Sequence, residues 1–125
     1  KKAFRSDYFL QGIIKLIPNL TTLQIINLPQ LRDDQIAEIF DHAYAISDLS
    51  LVKLIDLGTA SVESICSNLP NLSRLEIAYS NNIRDIDLRC ITSVCLHLKA
   101  ITVSHCPQLT DAGFTRFVAL RYLEE

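Results

Sequence analysis

The sequence predicts an α/β fold: a right-handed solenoid with parallel strands on a concave side and helices on a convex side, made of about four 26-residue units and partial ends. Three observations predict it. Apolar residues return at fixed places of a 26-residue period. Within each period the spacing changes from the alternation of a half-buried strand to the three-and-four spacing of a helix. An acidic residue recurs where that helix should open.

A frame beginning at Leu20, Ile46, Leu72 and Leu98 holds Leu23, Leu49, Leu75 and Ile101 at its fourth place and Ile25, Leu51, Ile77 and Val103 at its sixth. The twelfth place is Leu31, Leu57, Ile83 and Leu109, the seventeenth Ile36, Val62, Leu88 and Phe114, the twentieth Ile39, Ile65, Ile91 and Phe117. All 24 of these slots are aliphatic or aromatic, where a composition of 49% hydrophobic residues would fill about 12.

Places one to six form the strand, its last residues alternating between a buried and an open face. Places seventeen and twenty, often joined by twenty-four, form the inward stripe of the helix. The turn between them carries the start signal: Ser6, Arg32, Gly58, Arg84 and Thr110 at the thirteenth place, then Asp7, Asp33, Thr59, Asp85 and Asp111 at the fourteenth. A carboxylate there is expected to accept from the unpaired first-turn N–H groups of its own helix, and its charge suits the positive helix end. Gly113, in the first turn of the last helix, would ease close approach to the neighbouring unit.

A unit of this kind cannot bury its apolar stripe alone, so units stack, strand beside strand and helix beside helix. Helices are wider than the ~4.8 Å strand spacing, which curves the sheet side inward. Residues 1–125 thus read as a single domain: a partial unit 1–19, units 20–45, 46–71, 72–97 and 98–119, and an incomplete unit 120–125. Neither end shows the polar cap that such an array needs, so the chain reads as a segment of a longer solenoid.

Composition narrows the partners. A net charge of −2 with both signs interspersed gives no field to hold a nucleic-acid backbone, and Lys1, Lys2, Arg5 and Lys15 read as a solvated basic end. No apolar run approaches the ~18 residues of a membrane span, and no signal-peptide centre is found at the start. Cys66, Cys90, Cys95 and Cys106 include no C-x-x-C pair, which points to a reducing, intracellular compartment, cytoplasm or nucleus. The sequons at Asn19 and Asn71 would be inert there.

The stretch "LKAITVSHCPQLTDAGF", Leu98 to Phe114, resembles one repeat of the cysteine-containing class of leucine-rich repeats, with leucines at places one, four and six, a cysteine at nine, then an aliphatic residue, Thr, Asp and Gly. That class is typical of F-box proteins, where it recognises substrates for cullin-type ubiquitin ligases, and of mitotic-exit antagonist-like and excision-repair proteins. The resemblance implies a substrate-recognition role, with ligase components engaged through regions outside this chain. The other units depart from the pattern: place nine is Leu28, Leu54 and Ser80, and the second unit lacks the Asp. Nothing in the chain resembles an F-box.

Cys106 should enter the core as a small hydrophobe. Cys106→Ser is then expected to cost about 1–3 kcal/mol by burying an unpaired hydroxyl. Cys95, His97, His105 and Cys106 have the right chemistry for zinc, but the intervening strand of seven extended residues spans about 23 Å, far beyond the ~2.0–2.3 Å reach of a ligand. His42, His97 and His105 occupy three different places in the unit, and Ser104 points away from His105, so no nucleophile–base pair forms. Gly12, Gly58 and Gly113 are too scattered for a phosphate loop. No enzyme activity, metal or cofactor is expected. The acidic helix carrying Asp33, Asp34, Glu38 and Asp41 reads as a solvated face.

The concave face remains. Places three and five set Thr22, Gln24, Asp48, Ser50, Arg74, Glu76, Ala100 and Thr102 outward, and place eight adds Asn27, Lys53, Tyr79 and His105, near Ile26 and Val52. A tyrosine among charges combines apolar area with hydrogen bonding, so Lys53, Arg74, Glu76 and Tyr79 are the expected centre of a protein-binding patch. The alternative is a spacer that sets the curvature of a longer array without touching a ligand.

Overall fold

The computed structural model of the chain describes residues 19–110. Four strands alternate with three helices: β1 (Thr22–Ile26), α1 (Asp33–Phe40), β2 (Asp48–Val52), α2 (Thr59–Asn68), β3 (Arg74–Ala78), α3 (Asp85–Val94) and β4 (Ala100–Ser104). The strands form one parallel sheet in chain order. Every pairing joins a residue to the one a full period later: Leu23 lies opposite Leu49, Leu49 opposite Leu75, and Leu75 opposite Ile101. The sequence period is the register of the sheet. The expected last helix, with Asp111, Gly113, Phe114 and Phe117, lies outside the described residues, as do the chain before Asn19 and residues 120–125.

The strands occupy places three to seven rather than one to six. The apolar residue at place one belongs instead to a turn, where the N–H groups of Ile46, Leu72 and Leu98 donate to Ala43, Leu69 and Cys95 at 3.0, 3.3 and 3.2 Å. At the other end each strand stops at place eight because the backbone there turns left-handed: φ is 62° at Asn27, 59° at Lys53, 59° at Tyr79 and 54° at His105. Such a conformation costs a residue with a Cβ about 1–2 kcal/mol, least for Asn. The reversal carries place nine back beneath the sheet.

The interior lies between sheet and helices. Leu49, Leu75 and Ile101 from the strands meet Ile36, Val62, Leu88, Ile39, Ile65 and Ile91 from the helices, all buried. Place twenty-four closes the layer with Ala43, Leu69 and Cys95. Each large aliphatic side chain so removed from water contributes about 1.5–3 kcal/mol.

At place nine Cys106 is buried as expected, but its equivalent Ser80 is also fully buried, and the Ser80 hydroxyl donates to the Leu54 carbonyl at 3.4 Å. A hydroxyl at this place therefore has an acceptor one unit back. The expected cost of Cys106→Ser falls accordingly, to less than about 1 kcal/mol.

The fourteenth-place carboxylates correct a second expectation. Asp33 does not cap its own helix. Its Oδ1 accepts from the N–H groups of Gly58 and Ser61 at 2.8 and 3.0 Å, its Oδ2 from that of Ala60 at 3.0 Å, and the Ser61 hydroxyl donates to Oδ1 at 2.5 Å. The carboxylate of α1 thus serves the start of α2, where Gly58 has no side chain to offer. Asp85 does the same one unit on, accepting from the N–H and the hydroxyl of Thr110. The own-helix bonds come from place sixteen, where Gln35 Oε1 accepts from the Arg32 N–H at 3.0 Å and Asp87 Oδ2 from the Arg84 N–H at 2.9 Å. Gln35, Ser61 and Asp87 are all buried, which makes place sixteen a polar tier at the helix starts.

On the far side, Cys66 of α2 and Cys90 of α3 have their sulfurs 3.3 Å apart. The Cys66 thiol also donates to Cys95, which holds Cys95 below the ordinary thiol range; that same bond, with burial and the Cys90 thiol, pushes Cys66 up. Burial likewise raises Cys106.

Candidate protein-binding surface

Helices cover one face of the sheet and leave the other open. In-register pairing converts places three and five into two rows running across the strands. One reads Thr22, Asp48, Arg74, Ala100 and the other Gln24, Ser50, Glu76, Thr102. Together they line a shallow groove of roughly 350 Å³. Gln24, Arg74, Glu76 and Thr102 are exposed, while Asp48 and Ser50 are half-buried. Ala100 was expected to project outward. It does line the groove, but at 6% exposure it offers a partner almost nothing, because a single methyl group lies below the rim set by its longer neighbours.

The groove is polar and incompletely paired within the chain. The Ser50 hydroxyl donates to Glu76 Oε1 at 2.6 Å. Asp48 and Arg74 stand opposite each other in the register. Among the described residues the salt bridge is Arg32 to Asp34 at 3.2 Å, on an exposed helix start, so the Asp48 and Arg74 charges are left open to an outside partner.

Place eight forms a third row past the strand ends. Tyr79 and His105 stack with ring centroids 4.2 Å apart and planes inclined by 6°. Lys53 Nζ lies 5.6 Å from the Tyr79 ring centroid. The three side chains make one column across β2, β3 and β4. Stacking contributes about 0.5–1.5 kcal/mol and an exposed cation–π contact about 0.5–1 kcal/mol, which offsets part of the left-handed backbone cost at these residues. With Asn27, Pro29, Ile55 and Asn81 they line a second depression of roughly 330 Å³.

The structure therefore divides the ten residues expected from sequence between a groove and a lip. Gln24, Asp48, Ser50, Arg74, Glu76 and Thr102 stand in the first; Asn27, Lys53, Tyr79 and His105 stand in the second. Sequence reasoning missed Pro29, Ile55 and Asn81, although all three share the tenth place, two residues beyond the left-handed turn. The candidate zinc residues separate to opposite ends of β4, Cys95 and His97 before it and His105 and Cys106 after it. No helix among the described residues is long and apolar enough to cross a membrane.

No family model matches the chain. Among solved structures, the tropomodulin C-terminal domain of Caenorhabditis elegans is similar, with a TM-score of 0.68 at 14% sequence identity, over 91% of this chain and 77% of that one. The likeness is one of fold. The chain has a leucine-rich-repeat-like α/β fold.

Proposed function

We propose that the chain is a stretch of a right-handed leucine-rich-repeat solenoid, with units 20–45, 46–71, 72–97 and 98–119 and partial ends, whose concave sheet face holds a protein partner and performs no chemistry. One observation carries the reading: two in-register rows on the helix-free face present Arg74, Glu76 and their neighbours to solvent beside the stacked Tyr79. The dispersal of His42, His97 and His105 supports a non-catalytic role.

Substrate recognition for a cullin-type ubiquitin ligase is the narrower form of this proposal. It is supported by the sequence of Leu98–Phe114 alone, and the ligase core would be reached through residues outside this chain. The spacer reading has one observation in its favour, the loss of accessible side chain at Ala100 on the β4 side of the groove.

Replacing Arg74, Glu76 and Tyr79 together by alanine in the parent chain separates the readings. Recognition requires that partners captured by the parent chain, identified by mass spectrometry, be lost while circular dichroism shows the fold retained. Undiminished capture favours the spacer. A Skp-type adaptor and a cullin among the captured proteins would establish the ligase role, and their repeated absence would remove it.

A further inference from the structure

We infer that the lip beyond the strand ends is a receptor for an extended peptide segment in which a carboxylate lies next to an aliphatic side chain. This rests on the reading of the sheet side as the partner-binding side and names what that side selects.

Lys53 carries the formal charge of the lip, and none of the seven residues lining it is acidic. Among the described residues no carboxylate lies within 4.0 Å of Lys53. In this respect the lip differs from the adjoining groove, whose lining includes both Asp48 and Glu76. One cation without a neutralising neighbour selects one anion.

The apolar half of the site is equally specific. Ile55 is 46% exposed and Tyr79 44%, so an aliphatic side chain finds cover here that the polar groove does not provide. The Tyr79 ring is flanked by Lys53 on one strand and His105 on the other. Its orientation is thereby fixed before any ligand arrives, leaving the ring edge and hydroxyl free to contact one. From Lys53 to His105 is two strand steps, about 10 Å, which an extended peptide crosses in about three residues. A carboxylate over Lys53 and an aliphatic group against Ile55 and Tyr79 fall within that span. A phosphate, with nearly twice the charge, would meet only this one lysine.

Selection of a random linear peptide library on the parent chain tests the inference. Recovered peptides are expected to carry Asp or Glu within a residue or two of Leu, Ile or Val. Affinity of a fluorescent recovered peptide should fall by about tenfold or more with Lys53→Gln or Tyr79→Ala, the loss of one strong contact, and be largely retained with Lys53→Arg. Circular dichroism of each variant confirms that the fold persists. Tighter binding when phosphoserine replaces the acidic residue overturns the carboxylate assignment. Peptides that ignore Lys53 and Tyr79 but require Arg74 and Glu76 overturn the lip while leaving the groove as the binding face. Recovery of no peptide, or equal binding by every variant, overturns both.

Discussion

Asn27, Lys53, Tyr79 and His105 share a left-handed backbone, yet only the first is a residue suited to it. Asn27→Ala should therefore destabilise by about 1 kcal/mol in urea titration, while Asn27→Gly should stay within a few tenths. The other three tolerate the conformation in part through their mutual stack, an arrangement that single positions in a sequence do not reveal. Place nine is similar: a leucine, a serine and a cysteine suggest a loosely specified slot, and only the Leu54 carbonyl explains the buried Ser80. Ser80→Ala should cost about 1 kcal/mol, and Cys106→Ser less than that, by the same titration. The Cys106 thiol adds a pH dependence. Its folded value lies above the ordinary 9.0, so above that pH the unfolded chain has lost a proton that the folded chain keeps. Stability falls as pH rises through this window, at up to about 1.4 kcal/mol per pH unit for one group. Cys106→Ala should flatten part of that decline in midpoints measured between pH 8 and 11.

At the scale of elements, α2 starts with help from the unit before it. Asp33→Ala removes the acceptor of the N–H groups of Gly58, just before α2, and of Ala60 and Ser61 within it, and of the Ser61 hydroxyl, and should cost about 2–3 kcal/mol, above the ~1 kcal/mol of an ordinary cap. Asp34, exposed and paired only with Arg32, should be replaceable within about 0.5 kcal/mol. Gly58 has extended rather than left-handed backbone, so its lack of a side chain serves proximity: a Cβ there would meet Asp33 Oδ2 at 3.2 Å. The first helical residue of α1 and of α3 was legible from the acid at place fourteen, which α2 replaces by Thr59. The identity of the helix it serves was not, because a one-dimensional pattern gives the position of a carboxylate but not which of two adjacent N-termini it reaches.

For the molecule as a whole, the period was legible because burial of the same places in every unit leaves a mark that composition cannot imitate. Leu49, Leu75 and Ile101, and the helix pairs from Ile36 to Ile91, face inward where the frame put them. Gln24, Asp48, Ser50, Arg74, Glu76 and Thr102 lie on the open side because alternation along a strand fixes the face, and Asn27, Lys53, Tyr79 and His105 lie past the strand ends, where the left-handed turn and not alternation places them. Their division into a groove and a lip was not legible, because it depends on where the chain turns out of the sheet. Among the described residues the main helix-to-helix packing joins α1 to α2 and α2 to α3, so damage should spread by neighbours. Leu51→Ala, at a fully buried site in β2, should cost about 3 kcal/mol and speed amide exchange in β1, β2 and β3 more than in β4.

The reach of Asp33 into the following helix has an evolutionary corollary. Among the described units, 20–45 and 72–97 supply a carboxylate that clasps forward, and the unit after each holds a start that is clasped, so donor and receiver alternate. A gene segment two periods long, copied in tandem, would arrive already compatible with its predecessor and its successor, whereas a single unit copied alone would strand a receiver without its donor or set two donors side by side. Lengthening by pairs of units is thus the step this chemistry tolerates, and insertions of other sizes should be confined to the turns.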